Sequence, residues 1–245
     1  MKEKKRKAII VASFPARKEA FFSAVFFAWF DPGKGGVKMR DFLSLNDYSI
    51  LEIERLLENA YAYRDRKRDM NLKAFRVANL FYEPSTRTHY SFLSAEQELE
   101  MKIMDIEASK SSVMKGESLG DTLQTLKQLQ TDCVVLRHFD YLQEVDNEKW
   151  PKIINAGFGE FDHPSQSLLD LMTIKEEFGA LNGLKIGIVG DLKHSRVARS
   201  NTELFSRFGA KLEFVAPKEY QDNFFEDYGP YVEFDDALET WDVVM

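Results

Sequence analysis

From Asn46 onward the chain alternates short apolar runs, rich in β-branched and aromatic residues, with longer segments whose apolar residues recur at helical spacing. That alternation restricts the fold more than any other feature, because strand–helix–strand units close into a parallel sheet covered by helices. The pattern predicts strands over 75–82, 102–107, 132–136, 152–155, 184–189, 211–215, 231–234 and 242–245. Helices are predicted over 47–68, 85–100, 118–129, 164–178, 195–208 and, with a weaker pattern, 218–228. Sheets of this kind take their ligands at the carboxyl ends of the strands. The turn-rich interval Phe178-Gly179-Ala180-Leu181-Asn182-Gly183 divides the pattern in two. The expectation is an α/β protein of two doubly wound parallel-sheet domains, 39–178 and 179–245, joined through the helix 164–178. The second is expected to be incomplete, because Trp241 to Met245 reads as a strand entering its ligand-facing end with nothing after it to cover the sheet.

Residues 1–38 do not share the alternation. Lys2, Lys4, Lys5, Arg6 and Lys7 followed by AIIVASF imitate the start of a secretory signal, but Pro15, Arg17, Lys18 and Glu19 interrupt the apolar stretch. The apolar run from Phe21 to Phe30 is far short of the ~20 residues a membrane span needs. The expectation is a non-native leader, with translation starting at Met39, where MRDFLSLNDYS opens into a helix. Lys34-Gly35-Gly36 can be encoded by the purine-rich run of a bacterial ribosome-binding site, and pyrimidine-rich codons there would remove that argument.

The chain holds 33 basic and 40 acidic residues, a net charge of −7, which argues against nucleic acid or an anionic membrane as partner. An anion site must therefore be local. Cys133 is the single cysteine and lies in an apolar strand, so an internal disulfide is excluded and a reducing, cytoplasmic compartment fits.

The best candidate for such a site is Glu83-Pro84-Ser85-Thr86-Arg87-Thr88-His89-Tyr90-Ser91, placed where a predicted strand hands over to a predicted helix. A helix start offers unpaired N–H groups and the positive end of the macrodipole, and this turn adds hydroxyls and a guanidinium fork matched to phosphate or carboxylate oxygens. An ordinary Ser/Thr cap with a solvated arginine produces the same local pattern. Four further motifs are polar and sit at loops or strand ends. Residues 109–118 (SKSSVMKGES) form a loop able to carry Lys115 to an anion, and Arg137-His138 ends a strand. His163-Pro164-x-Gln166 opens a helix, where a histidine tends to stay neutral and can donate to a carbonyl. Gly187-x-x-Gly190-Asp191-Leu192-Lys193-His194-Ser195-Arg196 is half a dinucleotide fingerprint, and its missing glycines disfavour NAD. Without zinc spacing, an acidic cage or a nucleophile elbow, no metal and no cofactor is expected.

Together FYEPSTRTHYSF, SSVMKGES, LRH, HPSQSLLDLMTI and GDLKHSRVARSN occur in the order and approximate spacing of the carbamoyltransferases, and the chain resembles that superfamily from Met39 to Met245. Within it, Lys115, HPSQSLLDL and GDLKHSRVARSN follow the aspartate type, the catalytic chain of aspartate carbamoyltransferase. The resemblance implies transfer of a carbamoyl group from carbamoyl phosphate to L-aspartate, giving carbamoyl-aspartate and phosphate in pyrimidine biosynthesis. It assigns Ser85, Thr86, Arg87 and Thr88 to the phosphate, and Thr88, Arg137, His163 and Gln166 to the carbamoyl group. Lys115 and Arg196 fall to aspartate. Ser111 and Lys115 match a loop that reaches a neighbouring subunit's site, implying a homotrimer, and Glu83 matches a position tying the two domains together through Arg196.

Some residues depart from the family pattern. Phe139 stands where the pattern has proline and Phe158 where aspartate is common, both near loops of the site. The resemblance also implies later segments, among them an Arg-x-Gln that binds aspartate, beyond Met245, and so weak turnover by the chain as given. Two other readings stand beside this one: a shortened non-catalytic paralogue that assembles with a trimer, and a carbamoyltransferase for another amino acid.

Overall fold

The computed structural model describes residues 9–10, 40–65, 72–107, 117–140, 142, 146 and 148–245. In chain order its elements are β1 (Ile9–Ile10), α1 (Ile50–Arg64), β2 (Arg76–Phe81), α2 (Thr86–Glu98), β3 (Lys102–Glu107), α3 (Leu119–Gln128), β4 (Cys133–His138), β5 (Lys152–Phe158), α4 (Pro164–Phe178), β6 (Lys185–Val189), α5 (Arg196–Arg207), β7 (Lys211–Val215), α6 (Phe234–Ala237) and β8 (Val243–Val244). The chain divides into two compact units, 17–165 and 1–16 with 166–245. The division falls at the first turn of α4, whereas the sequence reading puts the break after Phe178. No helix among the described residues is long and apolar enough to cross a membrane.

The first unit is a parallel sheet in the order β3-β2-β4-β5. Its core lies between Ala78, Leu80, Val134 and Leu136 of the central strands and Leu123 and Leu126 of α3. Each of the Leu and Val side chains contributes roughly 1.5–3 kcal/mol by leaving water. The chain enters at β2, adds β3 on one side, then crosses to add β4 on the other, so the loops leaving β2 and β4 diverge. A crevice opens at such a switch point, at the carboxyl ends of the strands.

The second unit is also a parallel four-stranded sheet, β1-β8-β6-β7, with its switch point between β6 and β8. Ile186, Phe205, Phe214, Phe225 and Val243 are buried in it. Its member β1 falls within the stretch read as a leader, and its backbone pairs Ile9 with Val243 and Ile10 with Val244. The rest of residues 1–38 lies outside the described residues.

Several element boundaries move. Helix α1 starts at Ile50, not Asp47, because Ser49 and Glu52 form a reciprocal capping box while Leu45–Asp47 makes a separate 3-10 turn. Residues 66–68 of that predicted helix lie outside the described residues. Strand β4 runs past Leu136 through Arg137 and His138, and β5 runs past Asn155 to Phe158, because main-chain pairing (Phe81 with Arg137, His138 with Phe158) is indifferent to polar side chains. The predicted helix 218–228 is two 3-10 turns, Lys218–Tyr220 and Asn223–Asp227, since Asp222 accepts from the Phe224 N–H at 2.8 Å and restarts the turn. The predicted strand 231–234 is reduced to a bridge between Tyr231 and Phe214, and Phe234 opens α6.

Candidate active site

The turn after β2 and the end of β4 meet at the switch point of the first sheet. The Tyr82 N–H donates to the Arg137 carbonyl at 2.9 Å, so the segment 83–88 leaves the sheet beside Arg137 and His138. Ser85 is the N-cap residue of α2 in an extended conformation, yet its side chain makes no capping hydrogen bond. Ser49, Ser118 and Ser195, at the starts of α1, α3 and α5, all accept from the third residue on. No acidic side chain occupies the first turn of α2, and Thr86 and Arg87 are exposed. The ordinary capping role is thus unfilled at the one start where the sequence reading places a phosphate, and the positive helix end there is uncompensated by its own first turn.

Arg137 is largely covered. Its Nε lies 3.2 Å from Glu83 Oε2, and its Nη1 donates to the Ala156 carbonyl at 3.4 Å. Inside the first unit, Glu83 forms an ion pair with Arg137. That pair ties the cradle turn to the end of β4. The neighbouring His138 is buried, and desolvation holds its pKa below the ordinary value against opposing pulls from Asp140 and Glu83. Its Nδ1 accepts from the Asp140 N–H at 3.0 Å, which leaves the hydrogen of the neutral ring on Nε2. The Phe139 ring, exposed, stacks on the His138 ring at 4.1 Å between centroids.

The third wall comes from β5. Its register against β4 shifts between Leu136 and His138, a bulge of the kind that re-aims a strand beside a site. Asn155 is buried and locked, donating to the Leu43 carbonyl at 2.8 Å and accepting from the Gly157 N–H at 2.7 Å. The turn that follows returns through Gly159, at φ +48°, where a Cβ would sit 2.7 Å from the Phe139 carbonyl oxygen. Phe158, where the family pattern has aspartate, belongs to the hydrophobic core. His163 is buried just before α4, with Nδ1 3.3 Å from Ser165 Oγ.

The structure therefore gathers Ser85, Thr86, Arg87, Thr88 and Arg137 around one sheet end, and sets His163 at the end of the β5 turn. Gln166, in the second unit, donates from Nε2 to Asp170 Oδ1 at 2.9 Å. Arg196 is the first residue of α5, following β6 at the switch point of the second sheet. Ser111 and Lys115 lie outside the described residues. Sequence reasoning missed Glu83 as the partner of Arg137, which no local pattern signals, and Asp170, whose spacing of four from Gln166 on a helix was a legible cue.

The model for the aspartate/ornithine carbamoyltransferase carbamoyl-P binding domain matches residues 40–176. The aspartate carbamoyltransferase catalytic subunit of Listeria welshimeri is 44% identical over 209 residues, covering 84% of this chain and 69% of its own. That of Fusobacterium nucleatum is 45% identical over 213 residues, covering 86% and 69%. Among solved structures, the catalytic subunit of M. jannaschii aspartate transcarbamoylase superimposes with a TM-score of 0.70 at 35% identity, over 81% of this chain and 70% of that one. The Trypanosoma cruzi enzyme in complex with N-(phosphonacetyl)-L-aspartic acid gives 0.71 at 28% identity, over 84% and 73%. By domain, sequence and fold alike, the chain belongs to the aspartate/ornithine carbamoyltransferase family, among its aspartate carbamoyltransferase catalytic subunits.

Proposed function

We propose that the chain transfers the carbamoyl group of carbamoyl phosphate to the amino group of L-aspartate. Ser85, Thr86, Arg87, Thr88 and the first amides of α2 take the phosphate. Arg137, His163 and Thr88 face the carbamoyl oxygen, Gln166 serves the same group, and Arg196 takes an aspartate carboxylate. The aspartate amine attacks the carbonyl carbon, negative charge grows on the carbonyl oxygen, and the C–O bond to phosphate breaks with its electron pair leaving on phosphate, which takes up the proton the amine gives up. Ser165 Oγ lies 3.3 Å from His163 Nδ1, and in the tautomer where it donates there the ring hydrogen sits on Nε2 and is given to that oxygen. Losing one such donor typically lowers the rate by ~10²–10³. Arg87 and the helix end stabilise the departing phosphate, and the rest is alignment of two anions. Ser111 and Lys115 are assigned to a neighbouring subunit's site in a cytoplasmic homotrimer.

The observation that carries this reading is the uncapped Ser85 at the switch point, beside an exposed arginine and a largely covered one. Calorimetric titration of the full chain with phosphonoacetamide, a stable analogue of carbamoyl phosphate, tests it. Arg87→Ala should weaken binding about 10–100-fold, the worth of charge-assisted hydrogen bonds. No binding by the parent chain, or equal binding by the variant, would refute the assignment. Carbamoyl transfer to L-aspartate assayed beside other amino acids separates the aspartate reading from its relatives.

A further inference from the structure

Helices α4 and α5 share one buried carboxylate. Asp170 accepts from Gln166 Nε2 at 2.9 Å through Oδ1 and from Asn201 Nδ2 at 2.8 Å through Oδ2. Asp170 and Asn201 are both nearly inaccessible to solvent. The two ends of a glutamine amide are close in size, so packing alone does not decide which end faces a ligand. A carboxylate decides it by chemistry, because both of its oxygens are acceptors and it admits only the NH₂ end of each amide. Gln166 Oε1 is then the end turned away from Asp170, and it can only accept. Asn201, five residues after Arg196, fixes the other oxygen of the same carboxylate from α5.

We propose that Asp170 is a positioning residue that sets the Gln166 amide with Oε1 outward, so that the protein reads the NH₂ of a carbamoyl donor and discriminates against acyl phosphates carrying a methyl in its place. The inference rests on the carbamoyl phosphate reading above. A site arranged to hydrogen-bond one group rejects the analogue lacking it, because its own acceptor is left unpaired. The same reasoning predicts what happens when Asp170 becomes an amide: one of these two amides, Gln166 or Asn201, must then turn round, and Gln166, the less buried of the pair, presents NH₂ to the ligand.

The test compares phosphonoacetamide, its methyl ketone counterpart acetonylphosphonate, and inorganic phosphate, titrated into the full chain. The parent chain should prefer the amide over the ketone about tenfold or more, close to the worth of one good hydrogen bond. Asp170→Asn should reduce that preference to within about threefold while phosphate binds as before, an outcome that general loosening of the fold would not give, since it would weaken all three. Gln166→Met supplies a second variant, in which the preference should vanish even if Asp170→Asn fails to fold. A parent chain that binds none of the phosphonates defeats the carbamoyl phosphate reading itself. One that binds amide and ketone alike, or variants that keep the preference, defeat only the role given to Asp170.

Discussion

Glu96 has no access to water, although it sits on the same helix as the exposed Arg87. Its Oε2 accepts from Asn79 Nδ2 at 2.7 Å, while its Oε1 and Asn79 Oδ1 have no donor among the described residues. Burial, opposed by the Asn79 hydrogen bond and reinforced by Asp105, pushes its pKa up to about 8. In the unfolded chain the group ionises near its ordinary value of 4.5, so folding takes up a proton between those limits. Stability from this residue is therefore complete below pH 4.5 and lost as pH rises toward 8, by an amount on the order of several kcal/mol. Glu96→Gln keeps the pair neutral at every pH. Urea melts should show the variant clearly more stable than the parent at pH 8.5 and similar to it near pH 4.5, and parallel curves would contradict a protonated Glu96. None of this was legible locally, since Glu96 in AEQELE reads as one more charge on a helix surface. Its burial follows from the sheet beneath α2, which belongs to other parts of the chain.

At the scale of the element, the helix starts divide into two kinds. Ser49, Ser118 and Ser195 spend their hydroxyls on their own helices, and Ser85 does not. Both kinds were legible as Ser before an apolar-periodic run, and only the hydrogen bond each hydroxyl makes or lacks in the folded chain separates them. Strand pairing imposes a different demand at Gly187. A Cβ added to this residue in β6 would lie 2.4 Å from the Trp241 ring, which is itself held by Nε1 donating to Glu213 at 2.7 Å. Gly187→Ala should cost about 1–3 kcal/mol through overpacking, measured as a lower urea midpoint with an unchanged slope. A variant as stable as the parent would mean that Trp241 can move aside. In the sequence Gly187 looked like half a nucleotide fingerprint. Its reason is the ring contributed from fifty-odd residues later, a contact that no window of the sequence contains.

At the scale of the whole molecule, two parallel sheets each bring a site-bearing turn to their switch point: the cradle after β2 in one, Arg196 after β6 in the other. Cys133 reports on the first of these units. It is the single cysteine of the chain and is fully buried in β4, where burial, with Glu96 and Asp132 nearby, pushes its thiol well above the ordinary range. A neutral thiol that water does not reach reacts only when its surroundings open. Labelling by a disulfide reagent should therefore be slow in buffer and accelerate with urea in step with unfolding of that unit. Rapid stoichiometric labelling without denaturant would show that β4 is not the interior strand described. The alternation of strand and helix, the family and most of the phosphate-side residues could be read from sequence alone, because periodicity, turn chemistry and contiguous motifs are written in neighbouring residues. The tertiary structure alone decided that Glu83 holds Arg137, that Asp170 is shared by two helices, and that Glu96 is shut away from solvent. Each of those depends on groups far apart in the chain meeting where water is excluded, and there burial and partner, more than residue type, set charge and orientation.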